Sequence, residues 1–75
     1  MDNEIDWKSI SQKLTLSEKF IRDFRDKVDW KEISKYQKLS EDFILEFKDK
    51  VDWLRIVKYQ NITAGFLKSI FYTTY

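Results

Sequence analysis

The chain of 75 residues contains no cysteine, no histidine and no proline, and it has a single glycine, Gly65. Without cysteine, neither a disulfide framework nor a thiolate metal site can form. Without histidine, the commonest general base and the commonest metal ligand are missing. The turns of sheet proteins depend on glycine, asparagine and proline, so the scarcity of glycine and proline favours helices. We therefore expect a helical protein with no cofactor and no metal.

An excess of charge of one sign is also missing, because 14 lysines and arginines nearly cancel 13 acidic residues. Such a balance does not imply a strong attraction to DNA, RNA or an anionic membrane. No apolar run approaches the ~18–20 residues needed to cross a bilayer. The acidic residues Asp2 and Glu4 do not fit the basic start of a signal peptide. These features predict a soluble protein of the cytoplasm.

Aromatic side chains, by contrast, are abundant: the chain has three tryptophans, four tyrosines and six phenylalanines. They recur with a spacing of 23 residues, in the series Asp6, Asp29, Asp52; Trp7, Trp30, Trp53; and Phe20, Phe43, Phe66. A fixed period of this length is typical of repeat architectures. We interpret residues 1–75 as a single domain of three repeats, here called unit one (5–27), unit two (28–50) and unit three (51–73). Units one and two agree at 13 of 23 positions, and units two and three at 8.

Each unit carries two predicted helix starts, described here for unit two. Asp29 is a good N-cap, because its carboxylate can accept a bond from a backbone N–H of the first turn. Glu32, three residues later, has the spacing of a capping box, in which its side chain would bond the N–H of the cap. Ser40 is the second cap. Glu41 and Asp42 follow it, where negative charge suits a helix N-terminus.

A hydrophobic staple accompanies every predicted start, joining the residue before the cap to the fourth helical residue. The pairs are Ile5–Ile10, Leu16–Ile21, Val28–Ile33, Leu39–Ile44, Val51–Ile56 and Ile62–Leu67. Helices this short are marginal alone in water, so the apolar stripes of neighbouring units must merge into one core. The predicted fold is all-α, with three tandem helix-turn-helix hairpins of six short helices forming a small α-solenoid-like bundle.

Two motifs of unit two resemble short tandem repeats that recur in proteins of large DNA viruses. One is Lys38-Leu39-Ser40-Glu41-Asp42-Phe43-Ile44 with Phe47, and the other is Val28-Asp29-Trp30 with Ile33, Ser34, Tyr36 and Gln37. The match is close in unit two, partial in unit one and weak in the second half of unit three. The resemblance implies a viral or phage-related source and an interaction role without catalysis. It supplies no site residues, because the matching positions are structural.

Catalytic and ligand-binding alternatives find little support in the residues. A catalytic carboxylate pair needs a pocket that separates two pKa values, whereas caps and helix ends account for the acids here. No glycine-rich phosphate loop and no nucleophile motif is present. The tryptophans could form a ligand cage, but an aromatic that recurs with the period of the fold indicates packing. No enzymatic activity is expected.

Unit three departs most from the repeat, because it gains apolar and aromatic residues where a terminal repeat usually has a polar face. Either its last helix is more buried than its counterparts, or an aromatic patch is exposed. An exposed patch of this kind marks a site for a partner or for self-association. The candidate partner-binding residues are Leu54, Tyr59, Phe71, Tyr72 and Tyr75.

The predicted function is a non-enzymatic protein–protein interaction module, acting as a viral or phage adaptor or as an inhibitor of a host protein. A homo-oligomer through unit three is a second expected assembly. The alternative is a small helix-turn-helix-like nucleic-acid-binding protein that uses the basic residues of unit one, Lys13, Lys19, Arg22 and Arg25. Acidic residues are interleaved with these, whereas a DNA-binding domain usually has a clear basic face.

Overall fold

A computed structural model describes the backbone over residues 5–72 and the side chains over residues 5–70. Across that range the chain is all-helical, as predicted, with six helices and no strand. The helices are α1 (Trp7–Lys13), α2 (Glu18–Asp23), α3 (Trp30–Tyr36), α4 (Glu41–Glu46), α5 (Trp53–Tyr59) and α6 (Ala64–Tyr72). Each unit is one hairpin of two helices. None of the helices in the described range is long and apolar enough to span a membrane.

The six predicted caps begin these helices, each accepting a hydrogen bond from a backbone N–H of the first turn. They are Asp6, Ser17, Asp29, Ser40, Asp52 and Thr63. The side-chain oxygen thereby satisfies one of the four N–H groups that a helix start leaves without a partner. Local sequence is therefore sufficient to place all six starts.

The predicted capping box of unit two is wrong. The backbone N–H of Asp29 donates to Ser11 Oγ of unit one at 3.0 Å. The carboxylate of Glu32 instead accepts a bond from a side chain of unit one. Unit three repeats the first of these arrangements, because the N–H of Asp52 donates to Ser34 Oγ at 2.9 Å. Both serine side chains are fully buried. The backbone N–H of each of these two cap residues therefore bonds to the preceding unit and not to a side chain of its own helix.

The units are held by a core that runs through the stack. Its buried apolar side chains are Ile21, Val28, Ile33, Leu39, Phe43, Ile44, Phe47, Val51 and Ile56. Helix α1 packs on α3, and α3 packs on α5, so the first helices of the units form a continuous row. The molecule is elongated accordingly, with extents of 48 × 21 × 19 Å. Full burial of such a side chain stabilises the fold by ~1.5–3 kcal/mol.

The tryptophans pack against this core, as predicted, although each is only half-buried. The Trp30 ring lies 5.2 Å from that of Phe47 and 6.3 Å from that of Phe43, on the second helix of its own hairpin. Its Nε1 donates to the carbonyl of Arg25 in the preceding unit at 2.9 Å. Trp53 makes the corresponding bond to unit two. Each of these two side chains therefore contacts its own unit and the one before it.

A glutamine, buried at position 37 and partly buried at position 60, joins each later unit to the unit before it. Gln37 donates from Nε2 to the carbonyls of Ser11 and Leu14, and its Oε1 accepts from the N–H of Leu16 at 2.9 Å. Gln60 makes the same three bonds 23 residues further on. The backbone groups that these bonds satisfy lie at the end of the preceding unit's first helix and in the link that follows it. Each glutamine side chain therefore provides hydrogen-bond partners for three backbone groups, which such groups need when they are removed from water.

A glutamate provides a second recurring bond between units. The carboxylate of Glu18 accepts from both the N–H and the hydroxyl of Ser40, at 2.7 and 3.1 Å. Glu41 does the same for Thr63, at 2.8 and 3.1 Å. Glu41 also lies in the first turn of its own helix, where its charge suits the helix dipole, as predicted. The structure adds that its side chain holds the cap of the next unit.

The outer sides of the two end units lack these linking residues. Unit one has Leu14 at the glutamine position, and unit three has Val57 at the serine position and Ala64 at the glutamate position. Leu14 is 55% exposed and Val57 is 49% exposed, whereas Ser34 between the units is fully buried. A further unit stacked in the same way would meet neither a glutamine on unit one nor a serine and a glutamate on unit three at these positions.

Candidate binding surface

Two of the five predicted partner-binding residues are exposed on α5. Leu54 is 76% exposed and Tyr59 is 46% exposed, whereas Ile56 between them is buried. The side chains of Phe71 and Tyr72 and the whole of Tyr75 lie outside the described residues, although α6 continues as far as Tyr72. The structure thus places an exposed apolar side chain and an exposed aromatic side chain on the same helix of unit three.

Tyr59 forms one wall of a groove that we call the lysine–tyrosine groove. The groove has a volume of about 420 Å³ and is lined by Lys35, Tyr36, Gln37, Lys38, Leu39, Tyr59, Gln60 and Asn61. A smaller depression of about 180 Å³ is lined by Lys35, Leu54, Arg55, Lys58 and Tyr59. Because Lys35 and Tyr59 line both, the exposed Leu54 adjoins the groove. The combined surface extends across units two and three.

The groove exists because one tripeptide occurs in two successive units. Residues 35–37 and 58–60 are both Lys-Tyr-Gln, whereas unit one has Gln-Lys-Leu at residues 12–14. Gln37 and Gln60, through their bonds to the preceding unit, fix the C-terminal ends of α3 and α5. The tyrosine that precedes each glutamine is exposed, and the buried Leu39 lines the groove together with the two tyrosines. Unit one has no such tyrosine, so units one and two cannot form a second groove of this kind.

A lysine ammonium group stands between the two tyrosine rings. Lys35 Nζ lies 4.9 Å from the ring centre of Tyr36 and 5.2 Å from that of Tyr59. A hydrogen bond with the Tyr36 side chain raises the pKa of Lys35 above its ordinary value. Lys58 Nζ lies 5.6 Å from the Tyr59 ring centre. The rings hold these two ammonium groups through cation–π attraction.

The carboxylates near the groove already have bonding partners elsewhere in the chain. Asp52 caps α5 and forms an ion pair of 2.7 Å with Arg55. Burial acts to raise the pKa of Asp52, but the backbone N–H and the guanidinium of Arg55 together hold it below its ordinary value of 3.8. Glu32 accepts a bond from unit one at 3.2 Å. Within residues 5–70, no carboxylate forms an ion pair with any of the groove lysines Lys35, Lys38 and Lys58.

The basic residues of unit one, which carry the nucleic-acid alternative, are partly neutralised. Lys19 forms an ion pair of 2.9 Å with Asp23. Arg22 donates two hydrogen bonds to Glu46 of unit two, at 2.9 and 2.8 Å. These bonds lower the pKa of Glu46 and raise that of Arg22. Arg22 therefore serves as a link between units, and two of the four basic side chains of this alternative are already paired with carboxylates.

Lys35, Tyr36 and Lys38 are not among the site residues predicted from the sequence. The signal that could have found them is the repetition of Lys-Tyr-Gln in units two and three alone. In the part of the chain that the structure describes, no three potential metal-binding side chains come together. Comparisons with protein-family models, with curated proteins and with solved structures find no match to this chain. The surface is therefore interpreted from its own residues.

Proposed function

We propose that the protein is a non-enzymatic protein-binding module that acts as an adaptor or an inhibitor by covering a surface of another protein. The observation that carries this proposal is the exposure of Leu54, 76% of whose surface is accessible, next to a groove with two exposed tyrosine walls. Exposed apolar and aromatic side chains around a concavity are typical of the residues that dominate binding energy at interfaces. The resemblance to viral repeats supports a viral or phage source and a host protein as the partner.

Replacing Leu54 by aspartate together with Tyr59 by alanine is expected to abolish partner binding without unfolding the chain. Both side chains are exposed, so the fold loses little when they change. The interface would lose an apolar anchor and an aromatic wall and would gain a buried charge. To measure binding, each chain is immobilised and exposed to a lysate of the cells in which the protein is naturally made. The retained proteins are then identified by mass spectrometry.

The matched control is Leu45→Asp, because Leu45 is also an exposed leucine but lies on α4, outside both depressions. A protein retained by the unchanged chain and by L45D, but not by L54D/Y59A, is the expected result. Circular dichroism should show the same helical signal for all three chains. Equal retention by all three would mean that this surface is not the binding site.

A further inference from the structure

The charge of the lysine–tyrosine groove points to the chemistry of what it binds. Three ammonium groups, those of Lys35, Lys38 and Lys58, line the groove and the depression beside it. Of the neighbouring acids, Asp52 pairs with Arg55, whereas Glu32 accepts a bond from a neutral amide of unit one and acts on Lys35 only through space. The surface therefore has positive charge that no ion pair within residues 5–70 neutralises. A ligand with several negative charges is complementary to it.

The apolar part of the surface adds a second requirement. Leu54 shares the smaller depression with Lys35 and Lys58, so an apolar site lies directly beside two cationic ones. A free inorganic anion would leave Leu54 in water. A polypeptide that carries carboxylates next to an apolar side chain fills both kinds of site at once.

Resting on the proposed protein-binding function, we propose that the lysine–tyrosine groove binds an acidic segment of the partner protein, whose carboxylates face Lys35, Lys38 and Lys58 and whose adjacent apolar side chain covers Leu54. The tyrosine rings hold the lysines in place and provide flat walls for the segment. Binding weakens as salt rises, because the charges on this open surface are screened.

A single-stranded nucleic acid is the competing ligand, since aromatic rings beside cations also bind stacked bases. Two observations favour the peptide. The Lys35 ammonium lies over both tyrosine rings, so a ring face that a base would need is occupied on each. Stacked bases also make no use of the exposed Leu54 in the adjoining depression.

The test is a fluorescence anisotropy titration of the full chain with a blocked, labelled peptide of Glu-Glu-Leu repeats. The matched probes are Gln-Gln-Leu repeats, Lys-Lys-Leu repeats and single-stranded oligothymidylate. The glutamate peptide should bind about tenfold or more tightly than the glutamine peptide, and K35A/K58A should remove about tenfold of its affinity. K27A/K48A removes the same charge from exposed lysines outside both depressions and should bind like the unchanged chain. K35E/K58E should prefer the lysine peptide.

Equal binding of the glutamate and glutamine peptides would overturn the proposal, and so would tighter binding of oligothymidylate. If K27A/K48A lost as much affinity as K35A/K58A, the effect would be one of general charge. That result would also overturn the proposal. Failure of the glutamate peptide, with partner retention still abolished by L54D/Y59A, would refute the acidic segment and leave the protein-binding function standing. Failure of both experiments would refute both proposals.

Discussion

Replacing Gln37 by alanine is expected to lower the free energy of unfolding by about 3–5 kcal/mol, because three hydrogen bonds between units are lost together. The carbonyls of Ser11 and Leu14 lose their donor, and the N–H of Leu16 loses its acceptor. Each buried polar group left without a partner costs ~1–3 kcal/mol. The side chain is buried, so the change also leaves a cavity.

A domain of this size has a total stability of about 4–11 kcal/mol, from ~0.05–0.15 kcal/mol per residue. The Q37A chain should therefore lose between about a quarter and all of that stability. Urea denaturation followed by circular dichroism measures the loss. The matched control is Leu14→Ala, at the same repeat position of unit one, where the exposed side chain should cost less than about 1 kcal/mol. Equal effects at the two positions would mean that the glutamine bonds do not hold the units together.

The variant L14Q/V57S/A64E is expected to assemble head to tail, because it restores the linking residues on both outer sides. In the stack, the glutamine makes three hydrogen bonds to the preceding unit. The serine accepts one hydrogen bond from the following unit, and the glutamate accepts two from it. At ~0.5–1.5 kcal/mol per bond, these six bonds should strengthen association at least about 100-fold over the unchanged chain. Because this interface is heterologous, it forms open chains of increasing length. Sedimentation velocity measures the effect.

The control separates the two sides of the new interface. L14Q alone changes only the outer side of unit one, and V57S/A64E changes only that of unit three. Each alone should associate much more weakly than the triple variant, and a mixture of the two should form a complex of one copy of each. The triple variant and the mixture could instead sediment at the same rate as the unchanged chain. That result would show that these side chains do not determine how units join.

The repeat period, the helix starts and the fold class could be predicted because each depends on local patterns. Asp29 and Ser40 act as caps through bonds within one helical turn, and the spacing of the tryptophans gives the unit length. The bonds between units could not be predicted in the same way. Ser34 and Gln37 are polar, and polarity alone predicts exposure to solvent. Their burial follows from partners 18 to 26 residues away, which no local pattern reveals.

The candidate surface was predictable only in part, for a related reason. Leu54 stands out because it replaces the lysine of the repeat, and Tyr59 was assigned with it to unit three. The other wall of the groove, Tyr36, belongs to unit two and fits the edge of an apolar stripe, so nothing in its own unit marks it as a binding residue. The groove arises from stacking, which brings two copies of Lys-Tyr-Gln side by side.

The most direct test of the account is native-state hydrogen exchange of four backbone amides that lie outside the helices. They belong to Leu16, Asp29, Leu39 and Asp52, and each donates to a side chain of a neighbouring unit. If stacking through these bonds holds the fold, the four amides should exchange only by global unfolding, as slowly as the core amides of the helices. Exchange of the four at the rate of the Lys38 amide, which lies in a link between helices without such a bond, would contradict the account.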